Sequence, residues 1–506
     1  MKHFYSLFIL FALFALQANA FTVNGISYEA TGAKTVKVVA KWPNYSGTVT
    51  IPRIVTYSGV SYTVNEIDNQ CFLDAEFLES VSLPASLLTI GTNAFEGCVL
   101  LTTITIPNSV NYIGARAFAN CPKLSKVTLG NNLTSIESGV FFHCANLKEI
   151  TLPNSVTAIR ALAFAHSGIE QINIFKNVKT IEDFAFDDCV SLKRIYIDDL
   201  AFWCMRDFDN FNMNPLSQAK NLYLNDKLLT TINIPDGITT IKPFIFAACT
   251  ASELVIPASV KTIDLSAFRG CSRIKTALIP NTVTELISDN LDGYPPFPDA
   301  TKIIIGNGIK TIPNHAFDFC YKVSTIIIYE GVESMDYNAF RYCGFRNVVL
   351  PKTTRTLNSA FYSCNKLEEI TLNSELKRME GAVFSGCVSL AAIHSRIKDP
   401  NQIEFVGSSH FSRVETSTCV LYVPKGCVQA YRKHPKWSVF TKIQEDVINT
   451  DVNYDGKTDV EDVNILVNQI LNLSYAGANA TACDVDLNGK VDVEDVNAVI
   501  NAILLN

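Results

Sequence analysis

The chain of 506 residues has no cluster of basic side chains: 42 Lys and Arg stand against 49 Asp and Glu, for a net charge of −7. Phosphate binding rests on concentrated Lys and Arg, so no nucleic acid partner is expected. After the first twenty residues no run approaches the ~20 apolar residues that a spanning helix needs, so no membrane span is expected. Histidine is scarce. Besides His3 it occurs at 143, 166, 315, 394, 410 and 434, with no metal-ligand spacing and no nucleophile motif alongside. The chain is therefore expected not to be an enzyme. Neither a lipid-attachment Cys behind the leader nor a C-terminal anchor is expected, so retention at a surface would have to come from another module.

What is present begins with a leader. Lys2 and His3 are followed by an almost wholly apolar Leu7 to Leu16 and by Ala18-Asn19-Ala20, a small-x-small cleavage site. Residues 1–20 read as a secretory signal peptide, too short to remain as an anchor. A secreted protein, extracellular or associated with a cell surface, is the expectation.

A strict repeat dominates the rest. The unit is Ile90-Gly91-x-x-Ala94-Phe95-x-x-Cys98, then Leu101-x-x-Ile104-x-Ile106-Pro107. Its first position recurs thirteen times from Ile67 to Met379, in steps of 22 or 23 residues except 60 across an insertion and 26 after Leu286. An aromatic follows five residues later in most copies; Leu291 takes that place in the ninth, and Phe361 comes one residue early in the twelfth. Ile104-Thr105-Ile106 alternates as a strand with one face inward, and Ala-Phe-x-x-Cys is long enough for a single helical turn. One copy cannot bury Leu101, Ile104, Ile106, Ile113 and Phe118 alone, but stacked copies can. Ten of the fifteen cysteines fall three residues after the aromatic. One small thiol per rung reads as a reduced, buried ladder rather than a metal or redox centre, because side chains stacked in parallel seldom meet disulfide geometry.

This pattern closely resembles the BspA-type leucine-rich repeat of bacterial and protozoan surface proteins, over residues 67–400. The resemblance implies a leucine-rich-repeat solenoid, mainly β with one short helical turn per repeat. Residues 198–240, with Trp203-Cys204, Asn214-Pro215-Leu216 and the strand Leu222-Tyr223-Leu224, resemble a variant insertion of that family. Solenoids hide their terminal rungs under caps. Residues 21–66 read as a β-rich N-terminal cap, with strands at 36–39, 47–51 and 60–64. Residues 401–446, with Tyr431, Trp437 and Phe440, read as the C-terminal cap.

The chain then changes character. Asp451-x-Asn453-x-Asp455-Gly456-x-x-Asp459-x-x-Asp462 returns 33 residues later as Asp484-x-Asp486-x-Asn488-Gly489-x-x-Asp492-x-x-Asp495. Calcium takes six to eight oxygens, supplied here by side chains at loop positions 1, 3, 5, 9 and 12. The backbone carbonyls of Lys457 and Lys490 at position 7 complete each set, with glycine at position 6 for the sharp turn. Two calcium ions are expected. Each loop leads into an amphipathic helix, marked by Val463, Leu466, Val467 and Ile470 and by Val496, Val499, Ile500 and Ile503. Twin units of this kind resemble the type I dockerin, over residues 448–506, a small all-α calcium-binding module. That resemblance implies a cohesin-like receptor. The docking positions would be Val460, Glu461, Val467 and Asn468, and Val493, Glu494, Ile500 and Asn501. Cellulosomal dockerins often carry Ser-Thr-like and Lys-Arg pairs at these positions; this chain does not.

In each repeat strand the residue between the two inward positions should face out. Thr105, Thr128, Thr151, Asn173, Tyr196, Tyr223 and Asn233 can all form hydrogen bonds. Val255, Leu278, Ile304, Ile327 and Val349 are apolar on consecutive rungs, and a contiguous exposed apolar stripe is a candidate partner site. The expected function is a non-catalytic binding protein, adhesin-like, holding a protein or glycan on its solenoid face and attached through its calcium-dependent dockerin. The alternative is an architectural scaffold, or a non-catalytic component of an extracellular polysaccharide-degrading assembly.

Overall fold

The computed structural model describes residues 20–288 and 295–446, then 452, 460–470, 483, 485, 491, 495, 496, 499 and 500. The leader through Asn19 and Leu291 lie outside the described residues. The chain divides into two compact units. One runs to Pro235 and takes in Lys242–Ala251; the other comprises Asp236–Ile241 and the residues from Ser252 onward.

In the first unit each repeat adds to two parallel ladders. Thr103–Thr105 pairs with Lys126–Thr128, with Ile104 opposite Val127. Glu149–Ile150, Gln171–Asn173 and Arg194–Ile197 align Ile150, Ile172 and Ile195. Period-2 alternation buries Ile104 and Ile106 and exposes Thr105. The second ladder is additional to the sequence pattern. It consists of two-residue strands at the leading Ile, such as Thr89–Ile90 against Tyr112–Ile113, and Ser135–Ile136, Ala158–Ile159 and Thr180–Ile181 in turn. Two residues show too little alternation to announce a strand, and only the stacked neighbour supplies the hydrogen bonds.

Between the ladders, the Ala-Phe-x-x-Cys stretch takes the form of consecutive tight turns. Ala94 N bonds Gly91 O at 3.3 Å, Glu96 N bonds Asn93 O at 3.2 Å and Cys98 N bonds Phe95 O at 3.3 Å. The intervening amides reach across to the next copy: Phe95 N to Ala117 O at 2.7 Å, Gly97 N to Ala119 O at 3.0 Å. Asn93 and Gly97 sit at φ 56° and 76°. A right-handed helix tolerates neither that backbone sign nor the loss of every second amide to a neighbour. At Leu265–Phe268 the stretch does form a 3-10 helix.

The aromatic column fills the interior. Phe72 and Phe95 stack with centroids 4.7 Å apart and planes 6° from parallel, and Phe118, Phe141, Phe164 and Phe186 continue the series. Ladder thiols of this unit find a partner one rung back. Cys98 Sγ donates to Phe72 O at 3.2 Å, Cys121 to Phe95 O at 3.1 Å and Cys144 to Phe118 O at 3.1 Å. All fifteen cysteines are free.

The insertion replaces a rung with its own packing. Helices Leu200–Cys204 and Leu216–Ala219 precede the strand Leu222–Leu224, which extends the first ladder by pairing parallel to Arg194–Ile197. Buried Trp203 anchors it through Nε1 to Ile245 O at 2.9 Å, and Asn214 Nδ2 donates to Phe244 O at 2.8 Å. Ahead of the repeats, strands Thr35–Val39, Gly47–Thr50 and Val60–Ile67 form close to their expected places. Strands Ala20–Val23, Ile26–Gly32 and Ile54–Tyr57 are additional. Their signal was Asn24-Gly25 and Ser58-Gly59: positive φ at both central residues makes a two-residue hairpin turn.

In the second unit the same two ladders recur. Leu278, Ile304 and Ile327 are register partners. Ile312, Met335, Leu357, Met379 and Phe405 are partners in the other ladder. Phe317, Phe340, Phe361, Phe384 and Phe411 stack in turn. In the ninth copy, where the spacing gives Leu291, a ring from further along joins the column. Fully buried Phe297 packs on Phe268 at 5.2 Å, so the ring comes from six residues further along, within the longer step that follows Leu286. Past residue 400 the ladders go on through Glu404–Val406, Val420–Val423 and Lys442–Glu445, and Tyr431 and Trp437 are buried among them.

Candidate functional site: the outer sheet face and the twin acidic loops

Strand pleating decides what the first ladder presents. In the second unit, Val255, Leu278 and Val349 are 51%, 48% and 41% exposed, and Ile304 and Ile327 are half-buried. Leu278, Ile304 and Ile327 lie directly opposite one another on adjoining strands, so their side chains form one outward row. In the first unit Thr105, Thr128 and Thr151 are exposed, as is Asn233. Asn173, Tyr196 and Tyr223 are register partners, half-buried, and the two tyrosine rings lie 4.9 Å apart.

Three surface features escaped the repeat pattern. An open groove of about 710 Å³ runs beside the first unit's outward row, lined only by polar and charged residues, among them Lys148, Glu149, Gln171 and Arg194. Its signal was the residue two places before each outward position, which sequence inspection passed over. On the turn side of the second unit, Phe319 and Tyr342 stack at 5.2 Å with the Arg341 guanidinium 4.6 Å over the Phe319 ring. Both rings occupy backbone at φ near 60°. The third is a charge network: His394 bonds Asp446 at 3.0 Å and Glu369 at 3.1 Å, and Arg396 also reaches Asp446, at 2.7 Å. Burial alone would lower the His394 pKa, but the two carboxylates outweigh it and push it up to about 9.

Of the calcium-loop residues, Asp462 and Asp495 are described, and Asp451, Asn453, Asp455, Lys457, Asp459, Asp484, Asp486, Asn488, Lys490 and Asp492 lie outside the described residues. Asp462 and Asp495, at loop position 12, are buried. Asp462 Oδ1 accepts from Val452 N, the second loop residue, at 2.8 Å, which closes the loop end onto its start. Val452, Leu466, Val485 and Val499 share one core with Ile465 and Cys483. Val452 and Val485 are equivalent positions of the two copies, as are Leu466 and Val499. Carboxylates buried at matching positions suit a hard cation, since a buried anion needs compensating charge. The helix Val460–Ile470 exposes Val460, Glu461 and Val467; Ile500 is exposed as well. The side chains of Asn468, Val493, Glu494 and Asn501 lie outside the described residues. No helix among the described residues is long and apolar enough to cross a membrane.

The sequence model of the BspA type leucine rich repeat region matches in six copies over residues 65–193, 196–292 and 297–418. That of the dockerin type I domain matches residues 449–504. No curated protein is significantly similar in sequence. Among solved structures, a leucine-rich repeat protein from Bacteroides ovatus is 22% identical with a TM-score of 0.55, over 74% of this chain and 94% of that one. A leucine rich cell surface protein from Faecalibacterium prausnitzii is 22% identical with a TM-score of 0.39, over 76% and 96%. A leucine-rich repeat protein from Eubacterium ventriosum is 21% identical with a TM-score of 0.43, over 72% and 93%. The first of these shares the repeat fold.

Proposed function

Starting from a chain that belongs to the BspA-type leucine-rich-repeat family and ends in a dockerin type I domain, we propose that it is a secreted, surface-held binding protein without catalytic activity. The solenoid would take its ligand on the outer face of the first ladder. The dockerin would join a cohesin-like receptor once two calcium ions are bound. Calcium would supply the positive charge that lets the clustered loop carboxylates come together. Asp462 and Asp495 would close each loop, and Val460, Glu461, Val467 and Ile500 would face the receptor.

The observation that carries this reading is the outward row of Leu278, Ile304 and Ile327, held in register by parallel pairing and flanked in sequence by exposed Val255 and Val349. Apolar side chains aligned on a rigid sheet suit a protein partner better than solvent. Outward positions tolerate polar residues, so changing Leu278, Ile304 and Ile327 together to Thr should leave melting unchanged. Capture of surface proteins by the solenoid should fall away. Undiminished capture would remove the row as the partner site. Cohesin binding, measured separately, should require calcium and be blind to the triple change.

A further inference from the structure

The groove of the first unit is lined by polar and charged residue types, with no aliphatic or aromatic anchor among them. Apolar and aromatic anchors supply most affinity in protein interfaces, and a lipid chain needs an apolar wall. What the groove offers is hydrogen-bonding groups on a rigid parallel sheet. Gln171 and Glu149 are register partners, joined Nε2 to Oε2 at 2.9 Å, and Arg194 is the next partner along. Planar amide and carboxylate groups in a row match the vicinal hydroxyls of a sugar.

Arg194 stands out among the cations there. Lys148 is held by Glu170 at 3.2 Å, and Lys123, without an ion pair among the described residues, is exposed. Arg194 has no ion pair among the described residues, and its Nε is buried without a hydrogen-bond partner. Two residues on, along the same outward face, is Tyr196. Tyr223 covers one face of that ring at 4.9 Å. On the other side in the sheet its register partner is the shorter Asn173. An aromatic face beside a hydrogen-bonding row receives the apolar C–H face of a pyranose, as it does other flat apolar surfaces.

We propose that this groove, together with Tyr196 beyond its edge, binds a glycan bearing uronic acid, with Arg194 on the sugar carboxylate, Gln171 and Glu149 on hydroxyls, and Tyr196 stacked on a ring. The proposal rests on the reading that the solenoid binds ligands through its outer sheet face, and it assigns the ligand class for one part of that face. Arginine meets a carboxylate through two parallel hydrogen bonds, which a lysine cannot reproduce.

The test is calorimetric titration of the full calcium-loaded chain with oligosaccharides of hyaluronan, galacturonate and mannuronate, each beside its neutral methyl ester. At least one acidic glycan should bind saturably, and its ester about tenfold more weakly or worse. Arg194→Gln should weaken the acidic glycan by about tenfold or more, Arg194→Lys by less, and neither should change affinity for the ester. Tyr196→Ala should weaken both forms. Melting curves confirm that each variant is folded. Three results would overturn the proposal: no saturable binding by any of the three acids, binding indifferent to both Arg194→Gln and Tyr196→Ala, or equal Arg194-dependent binding of an oligo-glutamate peptide. The Leu278, Ile304 and Ile327 triple change should not affect glycan affinity. Loss of partner capture in that variant with blank glycan titrations would defeat this assignment alone, whereas failure of both would defeat the wider reading.

Discussion

A thiol in the ladder is a small group with a fixed partner. Cys144 Sγ sits 3.1 Å from the carbonyl of Phe118, one rung back, in a fully buried site. That geometry keeps it protonated, because a thiolate there would lose its hydration and face a carbonyl oxygen. Burial pushes Cys121 and Cys387 up to about 12, and Cys189 and Cys249 up to about 11. These groups lose their protons earlier in the unfolded chain, near the ordinary thiol value of 9.0. Their contribution to stability is therefore whole below about pH 9 and drains away as pH climbs toward 11–12. Denaturant midpoints measured from pH 8 to 11 should fall across that window, more steeply than in a variant with several ladder thiols changed to Ala. Accessibility gives a second check. Of the fifteen cysteines only Cys427 is partly exposed. Alkylation of native protein followed by mass spectrometry should label Cys427, and the ladder thiols only after denaturation. Two or more ladder positions labelled in the native state, or found as disulfides, would contradict the structure.

At the scale of elements, the C-terminal strand Lys442–Glu445 depends on charges as well as on its ladder. Asp446, just past its end, receives both His394 and Arg396 from the strand and turn two places back in the sheet. The His394 pKa is raised from 6.5 to about 9. Its stabilisation is present below about pH 6.5 and is lost as pH rises through about 9. His394→Gln should lower Tm by about 2–4 °C at pH 6, the size expected for one charge-assisted bond in a large domain. The gap between variant and parent should close above pH 9. A gap independent of pH would mean packing against Tyr422, stacked 4.5 Å away, matters instead. The loop–helix element makes a different demand. Asp462 accepts from Val452 N and is buried beside the core of its module. Removing its charge should open the first loop. Asp462→Ala should abolish one of two calcium events in isothermal titration of the whole chain, and Asp495→Ala the other. Two unaltered events in either variant would reject the loop assignment.

For the whole molecule, repeat arrays are stabilised mainly by neighbouring rungs. Most rungs here bury an aromatic, a thiol and two ladder aliphatics against the next. Chelation should therefore leave the β-type circular dichroism and main melting transition of the chain unchanged. It should abolish cohesin binding and remove the helical signal of the C-terminal module. A main transition that falls with chelation would show that the solenoid leans on the metal, which its packing does not require.

The repeat, its period, the inward and outward sides of its main strands and the two acidic loops were legible in the residues alone. Each is written in local spacing: alternation of two in Ile104-Thr105-Ile106, a fixed return of Phe and Cys, and oxygen ligands at set places. Three things were decided only by tertiary contact. The two-residue strands at Ile90 and its equivalents exist because a neighbouring copy offers hydrogen bonds. The Ala-Phe-x-x-Cys stretch becomes consecutive turns because that same neighbour takes alternate amides. Phe297 joins the ring column of its copy by packing on Phe268, since stacking selects a side chain that reaches the neighbouring ring and ignores position in the repeat. The polar groove belongs with these. Lys148, Glu149, Gln171 and Arg194 are scattered over 47 positions of sequence, counted inclusively from Lys148 to Arg194, and parallel pairing sets them side by side. Local spacing names which face each residue takes; only the stacked sheet determines which residues from different rungs meet there.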